Sequence, residues 1–391
     1  MLMKMQFVRA VIVGAGASTS TPSLSCIASG TPCPTCTEAL TYHPNSNRNS
    51  NNNRSDGNEA VSNINKMRNH RLNPCFLLQL RHPTDGTIHN ILIDCGKTFR
   101  ESAIKVLPTF GVSDLTAVML THDHADAAFG LDDLREFNRP DTPLDVFADE
   151  RTLQSMQRVY PYLFPKDGSA VVGAWRRNKT GFIAAIKWES FTPLEKLTVN
   201  ILSRVGNGKK ENTASDAIVT TTASSPISSS TKDDSNRSSV AWFVVPIPVL
   251  HGDKYYSNAF LIPMHNANEK PRLLLYVSDI SVVDDKFFND VDRAKTLLGV
   301  DTSTPIEVLI LDMLSHNVYF AHLHVGAAIE AAERIDASKT FFIGMSHALN
   351  YTTLTEYLTE LGFGGKMAVG FDGCVVAVGN DVREGELHPN L

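Results

Sequence analysis

The sequence predicts an α/β chain in which mixed β-sheets are covered by helices. Three observations lead there. Short apolar runs alternate with helix-period segments along most of the chain. Two of those runs, residues 75–80 and 90–94, flank a turn near Asp85-Gly86 and read as an antiparallel pair, so the sheets are not purely parallel. Several polar residues stand where apolar runs stop, which is where a rigid sheet projects side chains into a cleft. With 391 residues and 42% hydrophobic content, the chain can bury a real core.

Taken in order, residues 7–13 form a first buried strand. Residues 75–80 and 90–94 follow as paired strands, 97–110 as a helix and 115–121 as a further strand. Residues 128–138 and 150–162 have helical periodicity. The runs 241–250, 258–262, 272–277 and 307–311 are strands. Residues 324–335 are a helix with Val325, Ala328, Ile329 and Ala332 on its apolar face. Strand 340–344, helix 352–362 and strand 374–378 close the chain. Residues 44–70 are rich in Asn, Ser and Arg, and 206–239 in Ser, Thr, Asn and Lys. Neither carries enough apolar surface to offset the entropy of ordering. Both are expected to be mobile insertions in one domain spanning 1–391, because chemistry lies on both sides of each.

The formal charge of -6 argues against a nucleic-acid partner. No apolar run approaches the length of a membrane span. Residues 7–13 could suggest a leader, but Arg9 interrupts them and no clear small-residue cleavage site follows. Of six Cys, three cluster (Cys26, Cys33, Cys36) and three are scattered. That pattern suits a reduced, cytoplasmic compartment better than a disulfide framework.

The strongest chemical signal is Leu120-Thr-His-Asp-His-Ala-Asp-Ala127. It sets His122, His124 and Asp126 at alternate positions behind an apolar run. Imidazole and carboxylate side chains aimed from a strand end suit zinc or a related divalent ion. A polar loop with two chance histidines is the bland alternative. Later strand ends add His251, Asp279 and His347. Singly, each has an ordinary reading, as a hydrogen-bonded His or a helix-capping Asp. Their joint occurrence behind the motif favours a site. The Cys33-Pro-Thr-Cys36 pair could be a redox pair or two plain thiols, whereas three Cys with one His make a closed structural zinc set.

The order of these elements resembles the metallo-β-lactamase superfamily over most of the chain. It is most similar to the branch of phosphoribosyl 1,2-cyclic phosphate phosphodiesterase. The segments that carry the resemblance are Val13-Gly-Ala-Gly-Ala-Ser18, Ile93-Asp-Cys-Gly96, Leu120–Ala127, Gly130-Leu-Asp-Asp-Leu-Arg135, Leu250-His-Gly252, Val277-Ser-Asp-Ile-Ser281 and Gly344-Met-Ser-His347. The resemblance implies an αββα sandwich of two mixed sheets, with metal at one edge. It implies that His122, His124 and His251 hold a first ion, and that Asp279 contacts it or bridges to a second. Asp126 would face that second ion. Two further His normally serve the second position, and this chain has Ala127 and Gly344 there. The resemblance therefore implies one well-furnished position and one impaired one. It also makes His347 the fourth ligand of a structural zinc with Cys26, Cys33 and Cys36; the rival reading keeps His347 at the catalytic ion.

The expected chemistry is metal-dependent hydrolysis of a small or cyclic phosphate ester by a metal-bound hydroxide. A zinc-type ion lowers the pKa of its water from about 15.7 to about 7; manganese or another divalent ion could serve. Asp126 would handle the water and His324 would protonate the leaving group. His322 is the weaker candidate and reads as a surface residue. Arg135 is either a phosphate contact or a helix salt bridge. Asp312 is expected to accept an N–H from a ligand His. The rivals are an RNA-processing nuclease of the same superfamily and a catalytically impaired, metal-stabilised binding protein. A small-molecule substrate, no membrane and compatibility with a homo-oligomer complete the expectation.

Overall fold

The computed structural model describes residues 4–41, 64–137, 143–165, 171–172, 186–204, 237–264 and 269–387. Most of the two expected insertions, 44–63 and 206–236, lies outside the described residues. The strands are β1 (Gln6–Gly14), β2 (Cys75–Arg81), β3 (Ile88–Ile93), β4 (Ala117–Met119), β5 (Leu144–Asp149), β6 (Val171–Val172), β7 (Ile186–Phe191) and β8 (Leu197–Leu202). They continue as β9 (Ser239–Leu250), β10 (Tyr256–Pro263), β11 (Leu273–Val277), β12 (Val308–Asp312), β13 (Lys339–Ile343), β14 (Met367–Val369), β15 (Cys374–Val378) and β16 (Asp381–Leu387). The helices are α1 (Leu24–Ala28), α2 (Pro34–Thr41), α3 (Phe99–Val106), α4 (Ala125–Ala128), α5 (Glu150–Val159), α6 (Asp285–Leu297), α7 (Val325–Ile335) and α8 (Tyr351–Glu360).

Two mixed sheets result. The first runs β16-β15-β1-β2-β3-β4-β5-β7-β6 and the second β14-β13-β12-β11-β10-β9-β8. β1, β2 and β3 pair antiparallel, whereas β3 to β4 and β4 to β5 are parallel. β11 to β14 are parallel neighbours, with β8 to β10 antiparallel beside them.

Period-two alternation explains the layering. Ala10, Ile12, Phe76, Leu78, Ile91, Ile93, Met119 and Phe147 point inward to the second sheet. Val11, Val13, Leu77, Leu92, Val118 and Val146 point outward, against Phe99, Ala103 and Val106 of α3 and Met156 of α5. Both faces are buried, so these strands read as continuous apolar runs. On the far side, Phe287 and Val291 of α6, Ala328 and Ala332 of α7, and Leu354 and Leu358 of α8 cover the second sheet. The architecture is the αββα sandwich.

Side-chain caps start several helices. Asp149 accepts from Thr152 N at 2.8 Å, Asp284 from Phe287 N at 3.0 Å, and Asn350 from Thr352 N at 3.0 Å. Several boundaries differ from the sequence reading. The helix expected over 97–110 stops at Val106 and finishes as a 3-10 turn over Leu107–Phe110, ended by Gly111 at φ 68°. The helix expected over 128–138 is a 3-10 segment, Leu131–Phe137. The Asn-rich stretch expected to be mobile up to residue 70 is packed at its end. Asn69 is fully buried, donating to Glu38 at 2.7 Å and accepting from Tyr351 N at 2.7 Å. Composition hides such a residue, because one Asn satisfying buried backbone looks like its solvated neighbours.

The chemistry gathers at one rim. β3, β4, β11, β12 and β13 end there, delivering Asp94, Thr121 to Asp126, Asp279, Asp312 and Gly344 to His347 in turn. Ligand sites lie at the carboxyl ends of parallel strands because the chain must turn there and the sheet holds its start fixed.

Candidate metal centres

His122 emerges from β4 fully buried, and its tautomer is fixed from behind. Asp94, at φ 64°, accepts from Thr121 N at 2.8 Å and from the Thr121 hydroxyl at 2.9 Å and 3.0 Å. With its proton given to Asp94, Thr121 Oγ1 accepts from His122 Nδ1 at 2.8 Å. His122 Nε2 is therefore the lone-pair nitrogen. It is buried without a hydrogen-bond partner. A fully buried, unpartnered imidazole nitrogen aimed into a cluster of His fits a metal ligand. Burial holds His122 down to about 3, in the neutral form that ligation needs.

His251 is oriented in the same way. Its Nδ1 donates to Ala321 O at 2.8 Å, leaving Nε2 only 3.3 Å from His124 Nδ1. The three rings pack with centroids 4.6 Å, 5.2 Å and 5.1 Å apart for the pairs 122–124, 122–251 and 124–251. Ligand atoms of His122, His124 and His251 all lie within 4.8 Å of one another. His124 is exposed, and its ring is held in a stack. Tyr255 lies parallel to it at 4.6 Å, and the Arg151 guanidinium covers the Tyr255 ring at 4.1 Å. The Tyr255 hydroxyl donates to Asp123. No sequence signal marked Tyr255 or Arg151, since stacking partners carry no spacing rule.

A second group shares His251. Ligand atoms of His251, Asp279 and His322 also lie within 4.8 Å of one another. Against burial, which raises it, His122, His251 and His322 hold the Asp279 carboxyl down to about 2. His322 corrects the sequence reading. It is largely buried, its Nδ1 donates to Asp312 Oδ2 at 3.0 Å, and Asp279 Oδ1 is 3.7 Å away. Against burial, which lowers it, these carboxylates, Asp312 first, raise His322 to about 9. His324, preferred from sequence, joins neither group of metal-ligating atoms among the described residues. It sits at the N-cap of α7 without a side-chain cap bond. That cap position was the available signal, since the residue before a helix is committed to the helix start.

Asp126 is buried in α4 but belongs to neither group. Burial first, then the neighbouring Asp279 charge, pushes its carboxyl up to about 6. Arg135 is paired with Asp132 in the same 3-10 segment. Gly344 has φ 75°, and a Cβ there would stand 2.5 Å from Asp312 Oδ1. Position 344 thus has no room for a His while Asp312 holds His322. The imidazole beside Asp279 comes from residue 322 instead.

The thiol cluster lies apart in sequence and in chemistry. Cys26 (α1), Cys33, Cys36 (α2) and His347 bring their ligand atoms within 4.8 Å of one another. Cys33 Sγ is 3.4 Å from His347 Nδ1, and Cys33 N donates to Cys26 Sγ at 3.2 Å. Against burial, which raises it, the Cys36 N–H, His347 and the neighbouring thiols hold the Cys33 thiol down to about 7. Arg71, fully buried, donates to Ser346 O at 2.9 Å and Leu349 O at 2.7 Å and so clamps the loop bearing His347.

Comparison with known proteins agrees with this fold. A segment of 79 residues, 20% of the chain, is 40% identical to an octanoyltransferase of Porphyromonas gingivalis (strain ATCC BAA-308 / W83). The chain spans only 15% of that protein's length. Among solved structures, a new diphosphatase from the PhnP family aligns over 96% of this chain and 100% of its own, with a TM-score of 0.57 and 19% identity. Zinc-bound PqqB from Methylobacterium extorquens aligns over 95% and 100%, at 0.56 and 12%. The metallo-β-lactamase fold protein YhfI from Bacillus subtilis aligns over 95% and 99%, at 0.50 and 13%. At such identities these structures speak for the fold alone. The model of the beta-lactamase superfamily domain matches residues 89–345, which contain both His clusters. The chain belongs to the metallo-β-lactamase superfamily.

Proposed function

We propose that the protein is a metal-dependent hydrolase acting on a phosphodiester, most simply a small or cyclic phosphate ester. The observation that carries this reading is the pair of ligand groups sharing His251, with His322 backed by the buried Asp312. His122, His124 and His251 would hold the ion, with Asp279 at its flank. A divalent ion bound there supplies a Lewis acid that acidifies water and polarises a phosphoryl oxygen. Asp126 accepts the proton of the attacking water at its carboxylate. His322 delivers a proton to the leaving oxygen, its ring held in place through Nδ1 by Asp312. Cys26, Cys33, Cys36 and His347 would hold a separate structural zinc.

The test is metal analysis with turnover. Zinc- or manganese-loaded protein should hydrolyse bis(p-nitrophenyl) phosphate, and mild chelation should remove activity with one class of metal. His322→Ala should slow an alkyl phosphodiester by roughly a hundredfold or more. It should slow the nitrophenyl ester much less, since that leaving group departs without a proton. A single zinc lost only with the fold, and no turnover of either ester, would leave a metal-stabilised binding protein instead.

A further inference from the structure

Residues 318–320 form an apolar tip at the rim of the His and Asp cluster. Val318 is 79% exposed, Tyr319 51% and Phe320 72%. The tip is tied down at its base. Tyr319 bridges His322, Ser315 bridges His324, and Leu314 N donates to Leu323 O at 2.8 Å. The same turn carries Ala321, whose carbonyl orients His251, and His322 itself. The Tyr319 ring lies 6.1 Å from the His322 ring and 5.1 Å from the Phe320 ring. Phe320 lies so close over Gly252, the residue after His251, that a Cβ there would come within 3.1 Å of its ring.

Two aromatic rings kept open on a pinned turn expose apolar surface that folding alone would hide. Their flat faces suit stacking on a planar aromatic group, which is sequence-tolerant and needs no hydrogen-bond pairing. Their neighbour is the proposed proton donor to the ester's leaving oxygen. A ring stacked on Tyr319 would therefore lie on the side of the platform next to His322, whose ring is 6.1 Å from that of Tyr319. We propose that Tyr319 and Phe320 are a stacking platform for a nucleobase, so that the substrate is a nucleotide phosphodiester. This rests on the hydrolase reading above.

The experiment compares kcat/KM of the zinc-loaded protein for adenosine 2′,3′-cyclic phosphate and for methyl riboside 2,3-cyclic phosphate, which lacks only the base. The native protein should favour the nucleotide. Phe320→Ala and Tyr319→Ala should each lower that ratio about tenfold, the size expected for one lost stack. Phe320→Leu, apolar but not flat, should behave as the Ala variant does. A ratio near one, or a ratio that the substitutions do not move, overturns the platform. If the substitutions instead convert a dimer to a monomer in sedimentation and leave the ratio alone, the tip is a self-association surface and the proposal falls. If neither ester is turned over, the hydrolase reading fails, and calorimetry then decides the platform alone. AMP binding more tightly than ribose 5-phosphate, with the advantage lost in Phe320→Ala, upholds it; equal binding overturns it.

Discussion

The two ligand clusters are built from different loops: Cys26, Cys33 and Cys36 follow β1 and His347 follows β13, whereas His122 and His124 follow β4 and His251 follows β9. The Cys26, Cys33, Cys36 and His347 group offers three thiols and one imidazole, with no carboxylate among its ligand atoms. Four such donors close a tetrahedral ion completely. The His122, His124 and His251 group offers three imidazoles, one of them exposed, and abuts Asp279, Asp126 and His322. Three donors would leave a position open on a bound ion, beside carboxylates and an imidazole that could supply it with proton chemistry. The difference teaches that donor count and the neighbouring titratable groups, more than location, would separate an ion that braces from one that reacts.

That contrast can be broken from either side. The largest effect expected is on turnover. His124→Ala should reduce phosphodiester hydrolysis to background, while the thermal unfolding midpoint stays near the native value. A collapse of the midpoint would show that this cluster braces too. Next, Cys36→Ser should cost roughly 3 kcal/mol of stability in calorimetry or denaturant unfolding, because bound structural zinc is folding free energy. Unchanged stability would remove the thiol cluster from the bracing role.

Gly344→Ala is a subtler probe, because it touches the reacting side through shape alone. At φ 75° a side chain is strained, and its Cβ would press on Asp312. A loss of about 1–3 kcal/mol is expected. A fall in kcat on alkyl esters should accompany it as His322 loses its partner. Normal kcat would show that Asp312 does not position His322. The smallest effect is on pH dependence. Burial, with Lys105 beside it, holds His70 down to about 4, while Glu101 lies 3.4 Å from its Nε2. The unfolded chain takes up that proton below about pH 6.5 and the folded chain does not. Stability contributed by neutral His70 is thus lost as pH falls from about 6.5 toward 4. His70→Gln should flatten that slope in urea midpoints, and an unaltered slope would assign it to other groups.

Much of this was legible in the sequence, for a stated reason. Apolar runs predict buried strands whether or not their partners are known, so the strands and their strand-end residues could be read directly, while the sandwich came only from the family resemblance. His122, His124, His251 and Asp279 follow from that rule, and the geometry brings them together. His322 did not follow. It stands on a turn ten residues beyond Asp312, so only the closing of that turn shows that it lies beside Asp279, while His324 joins neither ligand group. The end of the Asn-rich segment was lost likewise, because the burial of Asn69 depends on Glu38 and Tyr351, distant in sequence.

The hairpin of β8 and β9 has one more consequence. Its strands stay in register to Leu202 opposite Ser239, and just beyond that pair Ser203 N donates to Ser238 O at 2.8 Å and Ser238 N to Ser203 Oγ at 3.0 Å. The two arms are thus latched to each other. From there the twelve residues of β9 run to Leu250, immediately before His251, a span of about 40 Å at the rise of an extended strand. The latch is a natural splice point. A fusion, a tag or a short designed turn placed beyond it is expected to leave the fold intact, because it enters at the end of that strand farthest from His251.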